Sequence, residues 1–209
     1  LKDPAKWAEY KALMQEHDVP DWYIESCAKI KYMFPKAHAA AYVTNAFRIA
    51  WFKVHVPKAY YSAFFSIRAA DNFDASCMVL GKEKVKNKMK EIDLKGVTAT
   101  KKEQDMYAVL ELVLEMYERG INFLPIDLYK SHYKNFIVED EGIRPPFSSI
   151  AGFGPIAAES LYKAAKEEEF MSIDEIRIRA KLGDSTIDLL REFGVLDGMQ
   201  ESNQISLFG

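Results

Sequence analysis

Cysteine is scarce in this sequence, which holds only Cys27 and Cys77 among its 209 residues. Two cysteines supply neither a disulfide framework nor a cysteine-type zinc site, so we expect a reduced, cytoplasmic setting. The sequence also lacks a run of about 18 apolar residues and a recognisable signal peptide, and we therefore expect no association with a membrane. The chain begins at Leu1 rather than at a methionine, and we expect it to be a piece of a longer protein.

An excess of positive charge is absent as well. The 28 lysines and arginines stand against 31 acidic residues, which gives a formal net charge of −3. This balance excludes a uniformly basic, histone-like DNA-binding protein but leaves room for a local basic patch. A hydrophobic content of 49% with 28% charged residues is typical of a globular protein. At about 100–200 residues per domain, the length allows one large domain or two small ones.

No constellation of catalytic residues can be recognised. The sequence has no Ser/His/Asp pattern in a familiar context, no Gly-Lys-Ser/Thr phosphate loop and no metal-ligand spacing. The four histidines are scattered, and paired carboxylates suited to two-metal chemistry cannot be picked out. We therefore predict neither catalytic residues nor metal ligands in this chain.

Apolar residues recur at helical spacing along most of the chain, which predicts a mainly α fold. Residues 2–31 are expected to be helical with a break at Pro20, after which Asp21 can cap a second helix. A longer helix is expected over about residues 35–56. Because apolar residues surround most of its circumference, we expect it to be buried at the centre of the fold. Pro57 then ends this helix or begins the next.

The next segments differ in character. Residues 82–102 hold eight lysines and three acidic residues, and this stretch is either a DNA-backbone contact or a solvated helix face. A helix with one apolar face follows and stops at Gly120. Asp127–Ser131 and Phe136–Val138 are predicted to be short strands, with residues 139–142 as a turn. Beyond Pro146 the chain is expected to be helical again.

The run Ile150–Pro155, here called the glycine hairpin, places two glycines just before a predicted helix. Glycine lets the backbone approach a ligand closely, and N–H groups before a helix start attract anions. The pattern resembles a helix-hairpin-helix motif, which would hold DNA phosphates without reading bases. An ordinary glycine turn between packed helices is the alternative. Ile156 stands where many such motifs carry a basic residue, so the charge would come from Lys163 or Lys166. The candidate DNA-binding residues are Gly152, Phe153, Gly154 and Lys163.

A second hairpin follows the first. Ser172–Glu175 has the sequence of a capping box that begins a helix, and Leu182–Ser185 turns the chain into another helix. Two such units commonly pack as a tandem pair. Because Asp184 would repel a phosphate, we interpret the second hairpin as structural rather than DNA-contacting.

Two further places are candidate ligand sites. Lys36 and His38 stand at the start of the long helix, where unpaired N–H groups favour phosphate, although a solvated lysine and a packed histidine explain the same pattern. The chain ends in an abrupt apolar cluster after polar residues. This cluster suits either a peptide that docks on another protein or a tail that folds back on its own domain. Its residues are Gln204, Ile205, Ser206, Leu207 and Phe208.

These features occur together, in this order, in one family. The run Tyr32–Tyr42, with the sequence YMFPKAHAAAY, resembles the fingers motif of the bacterial replicative C-family DNA polymerases. The runs Val19–Cys27 and Phe47–His55 are similar to the PolC type, the DNA polymerase III alpha subunit of low-GC Gram-positive bacteria. Gly120–Asp127 resembles the stretch that follows the fingers, and the last residues are similar to the clamp-binding peptide that ends these enzymes.

The resemblance implies a fold and a division of the chain. A helical fingers segment would be followed by a small β element, a tandem helix-hairpin-helix domain and a flexible C-terminal tail. The implied ranges are 1–70 for the C-terminal part of the fingers, 71–120 for a helical connection, 121–199 for the duplex-binding region and 200–209 for the clamp-binding tail. The residues implied to face the incoming nucleotide are Phe34, Lys36, His38 and Arg48.

The resemblance also implies a function. The chain would be a fragment of a replicative DNA-directed DNA polymerase, with primer-template DNA, a deoxynucleoside triphosphate and a sliding clamp as partners. The aspartates that hold Mg²⁺ in such enzymes lie in the palm, upstream, so we expect no cofactor here and no activity from this fragment alone. The alternative is a non-catalytic adaptor that binds DNA and the clamp. In a fragment, the aromatic cluster Tyr60, Tyr61, Phe64 and Phe65 is expected to pack on a domain outside this chain.

Overall fold

A computed structural model of the chain describes residues 3–30 and 34–202. These residues form ten α-helices and one small sheet, which agrees with the predicted mainly α fold. The chain divides into two compact units, residues 1–49 and residues 50–209. The predicted clamp-binding residues 204–208 lie outside the described residues. Within the described parts of the chain, no helix combines the length and the apolar character needed to cross a membrane.

The first unit begins with two short helices, α1 (Pro4–Glu16) and α2 (Asp21–Lys29). The Asp3 carboxylate begins α1 by accepting a hydrogen bond of 3.0 Å from the backbone N–H of Ala5. Pro20 precedes the first residue of α2, so the predicted break is confirmed. Ile24 of α2 is buried, with 2% of its surface exposed.

The long helix α3 (Lys36–His55) starts and ends close to its predicted limits. The expectation that it is buried is wrong, since none of its residues is buried against the described chain. Large apolar side chains on it are half or more exposed, including Tyr42, Phe47 and Trp51. An apolar circumference shows that a helix can be covered on all sides, but it does not show which element covers it.

The second unit holds the remaining elements in chain order. The helices are α4 (Pro57–Ile67), α5 (Ala75–Met78), α6 (Lys82–Lys95), α7 (Lys101–Glu118), α8 (Pro155–Glu167), α9 (Ile173–Ala180) and α10 (Asp184–Glu192). Short 3-10 turns lie at Gly96–Thr98 and Phe147–Ser149. Thr100 and Glu103 form a reciprocal capping box at the start of α7, and Gly120 follows its end with φ +76°. The predicted stop is thus confirmed.

The sheet is an antiparallel hairpin of β1 (Ile137–Val138) and β2 (Ile143–Arg144). The turn lies at residues 139–142 as predicted, but the strand expected at Asp127–Ser131 is wrong. The Asp127 carboxylate there accepts hydrogen bonds of 2.9 Å from the N–H groups of Tyr129 and Lys130. This local pairing favours a turn over an extended strand, and the partner of β1 comes from after the turn instead.

Two hydrophobic cores lie in the second unit as far as residue 202. In the core around α4–α7, the rings of Phe65, Phe73, Phe123 and Phe136 approach each other with centroid distances between 4.8 and 6.0 Å. The other core joins residues 126–128, the glycine hairpin and α8–α10.

The aromatic cluster of α4 belongs to the first of these cores. Tyr61 and Phe65 have no exposed surface, and Tyr60 and Phe64 pack partly buried against the same core. The expectation that this cluster packs on a domain outside the chain is therefore wrong. Residues at i and i+4 share a helix face, and that face is already covered by α7 and the residues after it.

Candidate nucleic-acid interface

The glycine hairpin is a tight turn that depends on glycine at one position. Gly152 has φ +85°, a left-handed conformation that L side chains adopt only with strain. The N–H of Phe153 donates to the carbonyl of Ile150 at 3.0 Å and closes the turn. A 3-10 turn, Phe147–Ser149, precedes the hairpin, so the first helix expected there is reduced to a single turn by the prolines at 145 and 146, which supply no N–H donor.

The backbone after this turn offers unpaired donors. Gly154 is the N-cap of α8, Pro155 is its first residue, and no side chain caps the helix. Among the described residues, no acceptor pairs with the N–H of Gly152 or of Gly154. The first N–H groups of α8 add to these donors, because a helix N-terminus leaves its first donors without partners inside the helix. A Cβ added at Gly154 would meet nothing within 4 Å, so this backbone is open to a ligand.

A groove of about 360 Å³ runs beside the hairpin. The hairpin and Ser148 form one side, and the loop of residues 70–74 forms another. Lys102, from the lysine-rich stretch, also lines the groove and brings a positive charge to it. Asp71 and Asp74 bring negative charges, so the groove is lined by two carboxylates and one ammonium group, and the backbone donors of the hairpin are the part of it best suited to an anion.

The other two candidate DNA-binding residues, Phe153 and Lys163, lie in different surroundings. The ring of Phe153 is buried, with 4% exposed, at a centroid distance of 6.2 Å from Phe147. Because the whole residue is buried and its N–H closes the turn, Phe153 offers no donor to a ligand. Lys163 Nζ lies 2.7 Å from a carboxylate oxygen of Glu159, and this hydrogen bond raises the pKa of the lysine. Ile156 is 85% exposed, so no cation stands directly after the Gly-Pro pair.

The second hairpin connects α9 and α10 as predicted. Ser172 caps α9 by accepting from the N–H of Glu175 at 3.3 Å, while the Glu175 carboxylate accepts from the N–H of Met171, one residue earlier than a standard capping box requires. A carboxylate oxygen of Asp184 lies 3.3 Å from Nε of Arg177. Asp184 therefore has a cationic partner within the domain.

The residues implied to face a nucleotide all lie in the first unit. The His38 ring lies between Phe34 and Tyr42, with centroid distances of 4.5 and 4.4 Å. Lys36 and Arg48 are exposed. Residues two apart on a helix do not face each other, so Lys36 and His38 do not share a face of α3. Along α3, Lys36 and Arg48 are separated by about 18 Å at 1.5 Å per residue.

The lysine-rich stretch is largely paired with its own carboxylates. Lys82 and Lys86 contact Glu118, and Lys95 contacts Glu91 and Glu103. This arrangement favours a solvated helix face over a continuous DNA-binding surface for α6. The described residues also contain no cluster of three or more His, Cys, Asp or Glu that could hold a metal ion.

Several residues near the hairpin were not singled out from the sequence. His132 and Tyr133 are hydrogen-bonded through their backbone to the residues before the hairpin, since the N–H groups of Phe147 and Ser148 donate to their carbonyls. The N–H of the next residue, Lys134, donates to Nδ1 of His132 at 3.1 Å. The signal was the alternation of aromatic and basic residues in Tyr129–Lys134. This alternation was not interpreted as a binding surface, because part of the same stretch was predicted to be a strand.

Comparison with known proteins first defines the class of the second unit. The helix-hairpin-helix motif family matches residues 120–205. This range contains both hairpins, so the predicted tandem helix-hairpin-helix region is confirmed at the level of the family.

The relatives then define the larger protein. The chain is 50% identical over 201 residues to DNA polymerase III PolC-type of Clostridium perfringens, covering 96% of this chain and 14% of that protein. It is 46% identical over 200 residues to the PolC-type enzyme of Bacillus subtilis, covering 96% and 14%, and 50% identical over 208 residues to that of Lactococcus lactis, covering 99% and 13%. The chain is thus homologous to a segment of PolC-type DNA polymerase III, and the resemblance read from its motifs is confirmed. It spans about 14% of the length of these relatives.

Proposed function

We propose that this chain is the part of a bacterial replicative DNA polymerase that holds duplex DNA by its backbone. The observation that carries the proposal is the pair of N–H groups at Gly152 and Gly154, which have no acceptor among the described residues and belong to exposed residues just before α8. Such donors bind phosphate oxygens and fix the position of a protein on DNA without reading its sequence. The match to the helix-hairpin-helix family supports this use of the turn.

In the whole enzyme the first unit would contribute to nucleotide binding. Lys36 and Arg48 are exposed cations that can offset phosphate charge, while the Phe34–His38 stack offers a half-exposed ring surface near the start of α3. The polymerase activity, the Mg²⁺ it requires and the carboxylates that bind Mg²⁺ belong to other parts of the protein. The chain alone is therefore proposed to be inactive. A bacterial DNA polymerase works at the chromosome, so the location is proposed to be cytoplasmic.

The chain end adds a tether in this proposal. Gln204–Phe208 would bind the sliding clamp as a short peptide, and linking the enzyme to a clamp on DNA raises its effective concentration at the primer. The test is capture of the chain by an immobilised bacterial clamp, with the double variant Leu207→Ala/Phe208→Ala as comparison. Loss of capture in the variant is expected, and failure of the unaltered chain to bind the clamp would remove this part of the proposal.

The DNA contact is tested by fluorescence anisotropy with a labelled duplex in a salt series. We expect affinity that is independent of sequence and falls steeply with salt, since phosphate contacts release counterions. Gly154→Ala is expected to weaken binding about tenfold or more, because its Cβ would occupy the space that a phosphate needs, and about 1.4 kcal/mol corresponds to tenfold.

A matched control is available in the second hairpin. Gly183 is the N-cap of α10, has the same extended backbone as Gly154, and a Cβ there also meets nothing within 4 Å. Gly183→Ala should leave DNA affinity unchanged while altering a helix N-cap in the same way. Equal binding by the two variants, or no binding by the unaltered chain at low salt, would contradict the proposal.

A further inference from the structure

A second surface of the helix-hairpin-helix region combines aromatic rings with lysines. The His132 ring lies 4.3 Å from Tyr133 and 4.8 Å from Tyr162, and the two tyrosine rings are 5.5 Å apart, centroid to centroid. We call this the aromatic–lysine surface. Its members are His132, Tyr133, Lys134, Tyr162, Lys163 and Lys166.

Two of the lysines lie over the faces of these rings. Lys134 Nζ is 5.6 Å from the ring centroid of Tyr133, and Lys166 Nζ is 5.7 Å from that of Tyr162. Lys166 also donates a hydrogen bond of 3.0 Å to the carbonyl of Tyr129. All three lysines of the surface are exposed. The rings therefore fix where the ammonium groups stand while leaving them open to solvent.

The lysines of the surface are only partly neutralised, since Lys163 and, more weakly, Lys134 lower the pKa of the one carboxyl beside them, that of Glu159. Glu159 forms an ion pair with Lys163, but no carboxylate of the described residues lies within 4.0 Å of Lys134 or Lys166. The pKa of His132 is lowered by burial and further by the ammonium groups of Lys134 and Lys166, as expected in a positive local potential. Elsewhere in the unit, by contrast, the lysines of α6 are mostly paired with glutamates.

We propose that Lys134 and Lys166 form a second contact for the phosphodiester backbone of nucleic acid, positioned by the Tyr133–His132–Tyr162 stack. The inference rests on the proposed DNA-binding function. Both contacts are rigidly joined, because the glycine hairpin begins α8 and Lys166 lies near its end. They are about 18 Å apart along the helix, at 1.5 Å per residue, which corresponds to about five base steps at 3.4 Å per step.

The phosphates can come from two sources, the duplex beyond the hairpin or a single-stranded template next to it. The test compares the unaltered chain with Lys134→Gln/Lys166→Gln on two labelled probes, a blunt duplex and the same duplex with a single-stranded overhang. Lys84→Gln/Lys90→Gln is the matched control, since both of these lysines are exposed on α6 and have no ion-pair partner among the described residues. Each lysine that contacts a phosphate is expected to reduce the slope of log Kd against log salt by about 1.

We expect the slope for the Lys134→Gln/Lys166→Gln variant to fall by about 2, with no change in the control. If the salt slope of the variant falls on both probes, the contact is with the duplex. If the slope falls only on the probe with the overhang, the contact is with the single strand. An unchanged slope on both probes overturns the inference. If that happens while Gly154→Ala still loses affinity, the proposed function stands and only this surface is excluded. If the unaltered chain binds neither probe, the proposed DNA-binding function itself is contradicted.

Discussion

The hydroxyl of Tyr61 donates a hydrogen bond of 3.0 Å to a carboxylate oxygen of Glu115, 54 residues further along the chain. Lys53 Nζ donates to the other oxygen at 2.6 Å. One carboxylate thus joins the end of α3 and the middle of α4 to α7. Burial, followed by the hydrogen bond to Glu115 and the charge of that residue, raises the pKa of Tyr61, so the phenol stays protonated and acts as a donor throughout the neutral range.

Tyr61→Phe is expected to lower the free energy of unfolding by about 1.5 kcal/mol, since a hydrogen bond to a charged group contributes about that much. The ring remains in place, so packing is conserved. Tyr60→Phe is the control, because the Tyr60 ring packs against Lys53 and its hydroxyl has no hydrogen-bond partner among the described residues. Urea unfolding measures both. Equal effects of the two substitutions would show that the Glu115 bond contributes nothing specific.

The burial of the α4 aromatic cluster gives a second prediction. Phe65 has no exposed surface and lies within 6.0 Å, centroid to centroid, of four other phenylalanine rings. Phe65→Ala is expected to lower the free energy of unfolding by about 3–5 kcal/mol, the range for deleting a buried phenyl ring. Ile67 stands two residues later on the same helix and is 77% exposed. Ile67→Ala should change stability by less than about 0.5 kcal/mol, and a comparable loss in both variants contradicts the packing described here.

Helix positions could be predicted from the sequence because their signals are local. The end of α7 follows from Gly120, which adopts φ +76°, and the start of α2 follows from Pro20. Which residues bury a helix, in contrast, depends on contacts with parts of the chain that are distant in sequence. α3 and α4 are both rich in aromatic residues, yet α4 is buried by residues far along the chain, whereas α3 is exposed. Helical periodicity alone does not distinguish these two outcomes.

The candidate site was predictable to the same extent. The glycine hairpin is a contiguous pattern with a backbone requirement at Gly152, and the sequence identifies it. Lys134 and Lys166 are 32 positions apart in sequence, and their common surface depends on hydrogen bonds between the backbone of residues 132–133 and that of residues 147–148. The sequence analysis predicted a strand at Asp127–Ser131, and a strand there would not bring these segments together. In the structure an Asx turn at Asp127 overrides the extended preference of the neighbouring residues.

The two glycines of the hairpin should differ in their effect on stability. Gly152 has φ +85°, so Gly152→Ala is expected to lower the free energy of unfolding by about 1–2 kcal/mol through left-handed backbone strain. Gly154 has φ −61° and open space at its Cβ position. Gly154→Ala should therefore change the free energy of unfolding by less than about 0.5 kcal/mol. Thermal unfolding followed by circular dichroism checks both. A large loss for Gly154→Ala would mean that its effect on DNA affinity cannot be attributed to phosphate approach.

The N-terminal cap of α7 should make stability depend on pH in the acid range. Lys95 forms a hydrogen bond with the Glu103 carboxylate, which also accepts from the backbone and side chain of Thr100, and together these lower the pKa of Glu103 to about 2. A carboxyl whose pKa is lower in the folded state than in the unfolded state binds fewer protons when folded. Its contribution is therefore complete above the ordinary glutamate pKa near 4.5 and is lost as pH falls toward about 2.

Glu103→Gln isolates this contribution, because glutamine can still accept in a capping box but carries no charge. We expect the difference in unfolding free energy between the unaltered chain and Glu103→Gln to be largest above about pH 5 and to shrink steadily as the pH is lowered to about 3. Glu111→Gln removes an exposed carboxylate from the same helix without breaking an ion pair of the described residues, and it controls for the change in net charge. Urea unfolding at several pH values gives the comparison. A difference for Glu103→Gln that stays constant or grows on acidification would mean that Lys95 and Thr100 do not stabilise the ionised form.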